Sequence, residues 1–183
     1  MIYGGSFDPP HVGHQMACLY LLEALGAASV WVVPAFVHAF DKSLSTFEDR
    51  VEMCRRMAAF FDDRVRVEPI ERELDQGGRT LALIRALEAR YPDRRFALAV
   101  GSDIISERTR WYRWEEIEAT VPVVVVGRGG YDEAGGAPIE LPEVSSTLVR
   151  ERAKQGKTLI GLVPLAVAQF IEERGLYRGE AAE

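Results

Sequence analysis

Gly4-Gly5-Ser6-Phe7-Asp8-Pro9-Pro10-His11-Val12-Gly13-His14 is the stretch around which the chain is organised. Met1 to Tyr3 precede it as a short strand. An amphipathic helix follows, with Met16, Leu19, Tyr20, Leu22 and Leu25 as its apolar positions. A loop between a strand and a helix N-terminus meets unpaired N–H groups and the positive end of the helix dipole, which together favour a phosphate. Gly4 and Gly5 let backbone approach a ligand without a Cβ in the way. Pro9 and Pro10 remove donors and stiffen the loop. His11 and His14 lie three apart and share one face of a first helical turn, where two imidazoles donate to phosphate oxygens. The stretch reads as a nucleotide-triphosphate site. His-x-x-His alone would more often be a solvated turn or half of a metal site; the eleven-residue run is far more specific.

Bulk properties bound the rest. A chain of 183 residues, 48% hydrophobic and 27% charged, fits one globular domain, taken as residues 1–177 with a frayed tail at 178–183. A net charge of −6 argues against broad nucleic-acid binding, so an anionic ligand must be held by a local basic patch and backbone amides. Cys18 and Cys54, the only cysteines, fall in helical patterns and read as buried free thiols. No signal peptide, lipidation motif or membrane-length apolar run is visible, which points to a cytoplasmic protein with no membrane partner.

Strand and helix patterns alternate along the chain. Val30–Pro34 is the second strand, Arg64–Glu68 the third, Phe96–Val100 the fourth and Val121–Val126 the fifth. Ser45-Thr46-Phe47-Glu48 has the form of a capping box, opening a helix with Val51, Met53, Cys54, Met57 and Phe60. Leu81, Leu83, Ile84 and Leu87 mark another helix, stopped by Pro92. Ser145 or Ser146 caps a further helix; Pro164 starts the last and Gly175 ends it. The expected fold is α/β: a single-domain, Rossmann-like, doubly wound parallel sheet of about five to six strands with flanking helices. Ligands in such sheets bind at the carboxyl ends of the strands.

The first loop resembles the G-x-F-D-x-x-H-x-G-H signature of the α/β nucleotidyltransferase superfamily. Val144-Ser145-Ser146-Thr147-Leu148-Val149-Arg150 is similar to its I-S-S-T-x-x-R motif. With Trp111, the closing Val163-Pro164, Phe170-Ile171 and Gly175-Leu176-Tyr177, and the chain length, the likeness is to bacterial-type nicotinate-mononucleotide adenylyltransferases. That resemblance implies His11, His14, Lys42 and Arg150 as catalytic. It implies Gly4, Gly5, Ser6, Phe7, Gly13, Gly101, Asp103, Arg128, Ser145, Ser146 and Thr147 as ATP-binding. For the mononucleotide it implies Lys42, Arg50, Thr80 and Trp111, the last stacking on the pyridine ring. The chain departs from the pattern in three places. Lys42 is separated from His38, Gly129-Gly130 replace a Pro-Gly ending after Arg128, and a tyrosine is missing ahead of Thr80-Leu81. Arg50 also reads as a solvated surface residue, Thr80 as an ordinary N-cap, and Trp114 as core.

The implied reaction moves AMP from ATP to nicotinate mononucleotide, giving deamido-NAD and pyrophosphate for NAD biosynthesis. The attacking phosphate is already anionic, so positioning and charge stabilisation carry the catalysis. Mg²⁺ would enter on the ATP phosphates, with no protein metal site. Alternatives are a sister enzyme acting on nicotinamide mononucleotide or phosphopantetheine, or a non-catalytic nucleotide-binding regulator. A class I aminoacyl-tRNA synthetase core also carries an H-x-G-H loop, but the chain is far too short for one. A metal hydrolase built on His11 and His14 lacks a recognisable third ligand. Oligomeric state, a homo-oligomer included, is left open by the sequence. Gly156-Lys157-Thr158 ends like a P-loop, but Glu151 stands where its first glycine belongs and a helix precedes it.

Overall fold

In the computed structural model, residues 1–36, 44–74, 79–102, 111–127 and 144–179 are described. Five strands, β1 Ile2–Gly5, β2 Val30–Pro34, β3 Val65–Val67, β4 Leu98–Gly101 and β5 Val123–Val126, pair in the order β3-β2-β1-β4-β5. Every pairing is parallel, with Ile2 opposite both Trp31 and Leu98. Helices α1 Val12–Glu23, α2 Phe47–Ala58, α3 Thr80–Arg90, α4 Trp114–Thr120, α5 Ser146–Lys154 and α6 Leu165–Arg174 flank the sheet, with a 3₁₀ turn at Ile70–Glu73. The doubly wound α/β fold is as expected, with five strands among the described residues.

Alternation along the strands builds two cores. Tyr3, Val30, Val32, Ala99 and Val126 point to the face covered by α1, α2 and α6. Ile2, Trp31, Val33, Leu98 and Val100 point to the face covered by α3 and α4. Both faces are buried, so the central strands are apolar at every position. Among the described residues β5 is an edge strand, and Val123 to Val125 are only half-buried.

Several boundaries and faces differ from the expected ones. Strand β1 runs on through Gly4 and Gly5, because β2 pairs with it as far as Pro34. In α1 the buried residues are Gly13, His14, Ala17, Cys18, Leu21 and Leu22, whereas Met16 and Leu19 are 41% and 46% exposed. The pairs 13/14, 17/18 and 21/22 repeat every four residues, and the small Gly13, Ala17 and Cys18 among them let the helix sit close on the sheet. Leu25 lies beyond the helix and Phe60 beyond α2, and both are exposed. The cap of α2 is Thr46, not Ser45: its hydroxyl accepts from Asp49 N–H at 3.1 Å and donates to the Asp49 carboxylate at 2.8 Å. Strand β5 begins at Val123 because Pro122 has no N–H; its carbonyl only accepts from Leu98. The N-cap of α3 is Arg79, so Thr80 is its first helical residue.

Cys18 and Cys54 are free and buried. Burial pushes the Cys18 thiol up to about 12 and Cys54 well above its ordinary value, so neither forms a reactive thiolate. Among the described residues no helix is long and apolar enough to cross a membrane. Thr46→Ala is expected to cost about 1 kcal/mol, since it leaves the first turn of α2 uncapped. Urea unfolding followed by circular dichroism should show a lower midpoint at unchanged slope.

Candidate functional site

In the strand order the chain leaves β1 towards β2 and β3 on one side and reaches β4 and β5 on the other. The carboxyl ends of β1 and β4 therefore flank the topological switch point, where open parallel sheets bind ligands. The loop 6–11 leaves β1 at that crevice, and Gly101 ends β4 beside it.

Local sequence explains the loop's path. Phe7 takes a left-handed φ of 49°, rare for a non-glycine residue, and its ring is almost fully buried. The ring meets His14 edge-on at 4.9 Å and Tyr3 at 5.6 Å, and this packing offsets the backbone strain. A Cβ on Gly5 would meet the Phe7 ring at 3.2 Å, whereas one on Gly4 would meet only the Val33 carbonyl at 4.0 Å. A side chain at Gly5 would fit only if the buried Phe7 ring gave way by a few tenths of an ångström, whereas Gly4 leaves its side of the crevice open.

His11 is the N-cap of α1 and His14 its third residue. The backbone N–H of His11 donates to His14 Nδ1 at 3.1 Å. An accepting Nδ1 assigns the proton of neutral His14 to Nε2. The two rings lie 3.7 Å apart between centroids, tilted by 32°, and are 3% and 8% exposed. Two imidazoles stacked at the mouth of a helix N-terminus suit stabilisation of phosphate charge.

The loop backbone is gripped by distant elements. Arg50 Nη1 of α2 donates to the Ser6 carbonyl at 2.8 Å, and its Nε to the Ser45 carbonyl at 3.2 Å. Arg150 Nη1 of α5 donates to the Asp8 carbonyl at 2.6 Å, and Ser146 Oγ to the Pro9 carbonyl at 2.9 Å. Val12 N–H donates to the Leu162 carbonyl at 2.9 Å. Ser145 caps α5 through Leu148 N–H at 3.1 Å. Thr147 Oγ1 accepts from Arg150 Nη2 at 3.3 Å.

Asp8, which the site expectations omit, lies at the centre. Its carboxylate is fully buried and accepts from the Tyr177 hydroxyl at 2.6 Å and from Ser45 N–H at 3.3 Å, with Arg150 4.0 Å away. The signal was in the sequence, since Asp8 stands inside the F-D-x-x-H run and Tyr177 in the closing Gly-Leu-Tyr.

The structure brings His11, His14, Ser145, Ser146, Thr147 and Arg150 to one loop. Arg50 joins them but not as a solvated side chain: it is 2% exposed, its Nε and Nη1 donate to backbone carbonyls, and burial pulls its pKa down against the pull of Asp8. Thr80 and Trp111 belong to the α3 and α4 face, where Trp111 meets the buried Trp114 edge-on at 5.4 Å. Lys42, Asp103 and Arg128 lie outside the described residues.

The match to family models covers residues 2–152 and is to the cytidylyltransferase-like family. The chain belongs to that family. Among curated members it is 47% identical, over 97% of its own length and 96% of the relative's, to a probable nicotinate-nucleotide adenylyltransferase of Anaeromyxobacter sp. (strain K). It is 31% identical to the nicotinate-nucleotide adenylyltransferase of Bacillus subtilis (strain 168), with 96% of each chain covered. A solved structure of Plasmodium falciparum nicotinic acid mononucleotide adenylyltransferase complexed with NaAD superposes with a TM-score of 0.80. It is 21% identical over 96% of this chain and 95% of that one, a likeness of fold. The cytidylyltransferase-like match ends at residue 152, after the second motif and before α6.

Gly5→Ala forces the Phe7 ring towards His14 and should cut turnover without preventing folding. Gly4→Ala is accommodated by the protein itself, so any loss there in a steady-state assay reports a ligand contact. Burial, the largest cause, raises the Glu71 pKa above 4.5, against the Phe36 N–H it accepts from and the charge of Arg50. A carboxyl with a raised folded pKa contributes stability that is full below its unfolded pKa and lost as pH climbs through the folded one. Melting curves from pH 4 upward should therefore show Glu71→Gln gaining on the wild type as pH rises.

Proposed function

We propose that this chain transfers the adenylyl group of ATP to nicotinate mononucleotide, giving deamido-NAD and pyrophosphate. The observation that carries the reading is the stacked His11–His14 pair at the β1/β4 crevice, braced by the second motif on α5. The full-length similarity to nicotinate-nucleotide adenylyltransferases supports the choice of acceptor.

A phosphate oxygen of the mononucleotide attacks the α-phosphorus of ATP; the new O–P bond forms as the bond to the β-phosphate breaks. The nucleophile needs no deprotonation, so the protein's task is alignment and charge stabilisation. His14 Nε2–H and His11 would donate to phosphate oxygens as negative charge shifts towards the leaving group. Arg150, one-third exposed, adds positive charge beside them while it holds the Asp8 carbonyl. Thr147 and the N-terminus of α5 suit the leaving pyrophosphate. Gly4, Gly5, Ser6, Phe7, Gly13, Gly101, Asp103, Arg128, Ser145 and Ser146 belong to the ATP side of this reading. Ser145, Ser146 and Phe7 would serve it mainly by shaping the backbone, given the internal partners of their side chains. Lys42, Thr80 and Trp111 belong to the mononucleotide side, with Arg50 acting through the loop. Mg²⁺ is assigned to the ATP complex as substrate, a hard cation carried on phosphate oxygens and water.

The sequence ahead of Thr80 lacks the tyrosine of the resembled pattern, which makes the acceptor the point to measure. Pyrophosphate release from ATP and Mg²⁺ should be fastest with nicotinate mononucleotide. Preference for nicotinamide mononucleotide or phosphopantetheine would move the protein to a sister activity. His14→Ala should lower kcat by about 10²- to 10³-fold while ATP affinity by calorimetry changes little; near-normal turnover would remove His14 from this role.

A further inference from the structure

The segment after α5 reaches back into the signature loop. Helix α6 packs along α2: the Arg56 guanidinium lies 4.5 Å over the Phe170 ring and donates to the Ala166 carbonyl at 3.3 Å. Arg174 pairs with the buried Asp49 at 3.2 Å. Gly175, at a φ of 61°, ends the helix, and Leu176 N–H closes back on the Ile171 carbonyl at 3.0 Å. Tyr177 then takes a φ of 60°, which only a specific contact justifies for a residue of its size. That contact is the 2.6 Å hydrogen bond from its hydroxyl to Asp8 Oδ1, and Met53 Sδ lies 3.9 Å from the Tyr177 hydroxyl oxygen.

We propose that Tyr177 is a positioning residue for adenylyl transfer, its hydroxyl acting through the Asp8 carboxylate to set the loop that ends in His11 and His14. The inference rests on the adenylyltransferase reading and extends it to a side chain beyond the family match at 2–152. Asp8 stands three residues before His11, and the backbone between them is held at Asp8 O and Pro9 O by Arg150 and Ser146. Those grips fix two carbonyls. The Tyr177 hydroxyl fixes the carboxylate, and with it the direction in which the loop enters α1. Burial, then the neighbouring Asp8 charge, raises the Tyr177 pKa, so the phenol remains a donor throughout the working range.

Tyr177→Phe keeps the ring and removes only the donor. With the full-length protein, kcat for pyrophosphate release should fall about tenfold or more, the scale expected when a reacting constellation shifts by a fraction of an ångström. KM for ATP should stay within about twofold, because the groups that touch ATP are retained. A purely structural role would lower Tm and leave kcat unchanged well below it; that result overturns the proposal. Asp8→Asn supplies the cross-check: with the charged acceptor gone, adding Tyr177→Phe should cost less than about threefold. A full tenfold further loss would mean that Tyr177 acts by another route, and the proposal falls. Wild-type protein that releases no pyrophosphate with any acceptor would sink the functional reading itself, and the proposal with it. An active wild type beside a fully active Tyr177→Phe sinks the positioning role alone.

Discussion

A carboxylate removed from water must find charge and donors, or its burial costs several kcal/mol. Asp8 is wholly buried, and the arrangement around it is the answer to that demand. Ser45 N–H, the Tyr177 hydroxyl and the Arg150 guanidinium converge on it from the start of α2, the segment after α6, and α5. Arg50 completes the charge balance from α2 while holding the Ser6 carbonyl. Because each donor belongs to a different element, satisfying Asp8 also docks those elements around the first loop. The stacked histidines inherit their placement from this frame.

Much of the frame was legible in the residues, and the failures have physical causes. The strand-helix alternation and the buried set Leu81, Leu83, Ile84 and Leu87 follow directly from periodicity. The buried face of α1 does not, because its seat is made by Gly13, Ala17 and Cys18, small residues that hydrophobicity ranks below Met16 and Leu19. Periodicity weighs how apolar a side chain is; packing against a twisted sheet weighs how closely a backbone can approach. The expected strands start two residues early at β4 and β5 because their apolar runs begin before the first ladder pair: Phe96 and Val121 are buried without pairing.

At the candidate site, the sequence marked residues that gather at the loop better than what each one touches there. Ser146, Arg150 and Arg50 stood out as phosphate or substrate contacts, yet each spends a donor on a loop carbonyl. A motif preserves residue types and spacing, and a guanidinium that holds a backbone leaves the same trace as one that holds a phosphate. The distinction requires partners 44 to 142 residues away, which one-dimensional spacing does not contain. The same reason hid Asp8 and Tyr177, whose pairing spans 169 positions.

That long reach has a bearing on how the protein acquires its site. The loop lies at the head of the chain, yet its partners Ser146, Arg150 and Tyr177 are 137, 142 and 169 residues downstream. Contacts of such separation form late, since the chain between must lose its freedom before they yield any return. A chain extended only as far as β5 thus holds the described strands of the sheet and still lacks these three grips on the loop. The loop is complete only once Ser146, Arg150 and Tyr177 have docked against it.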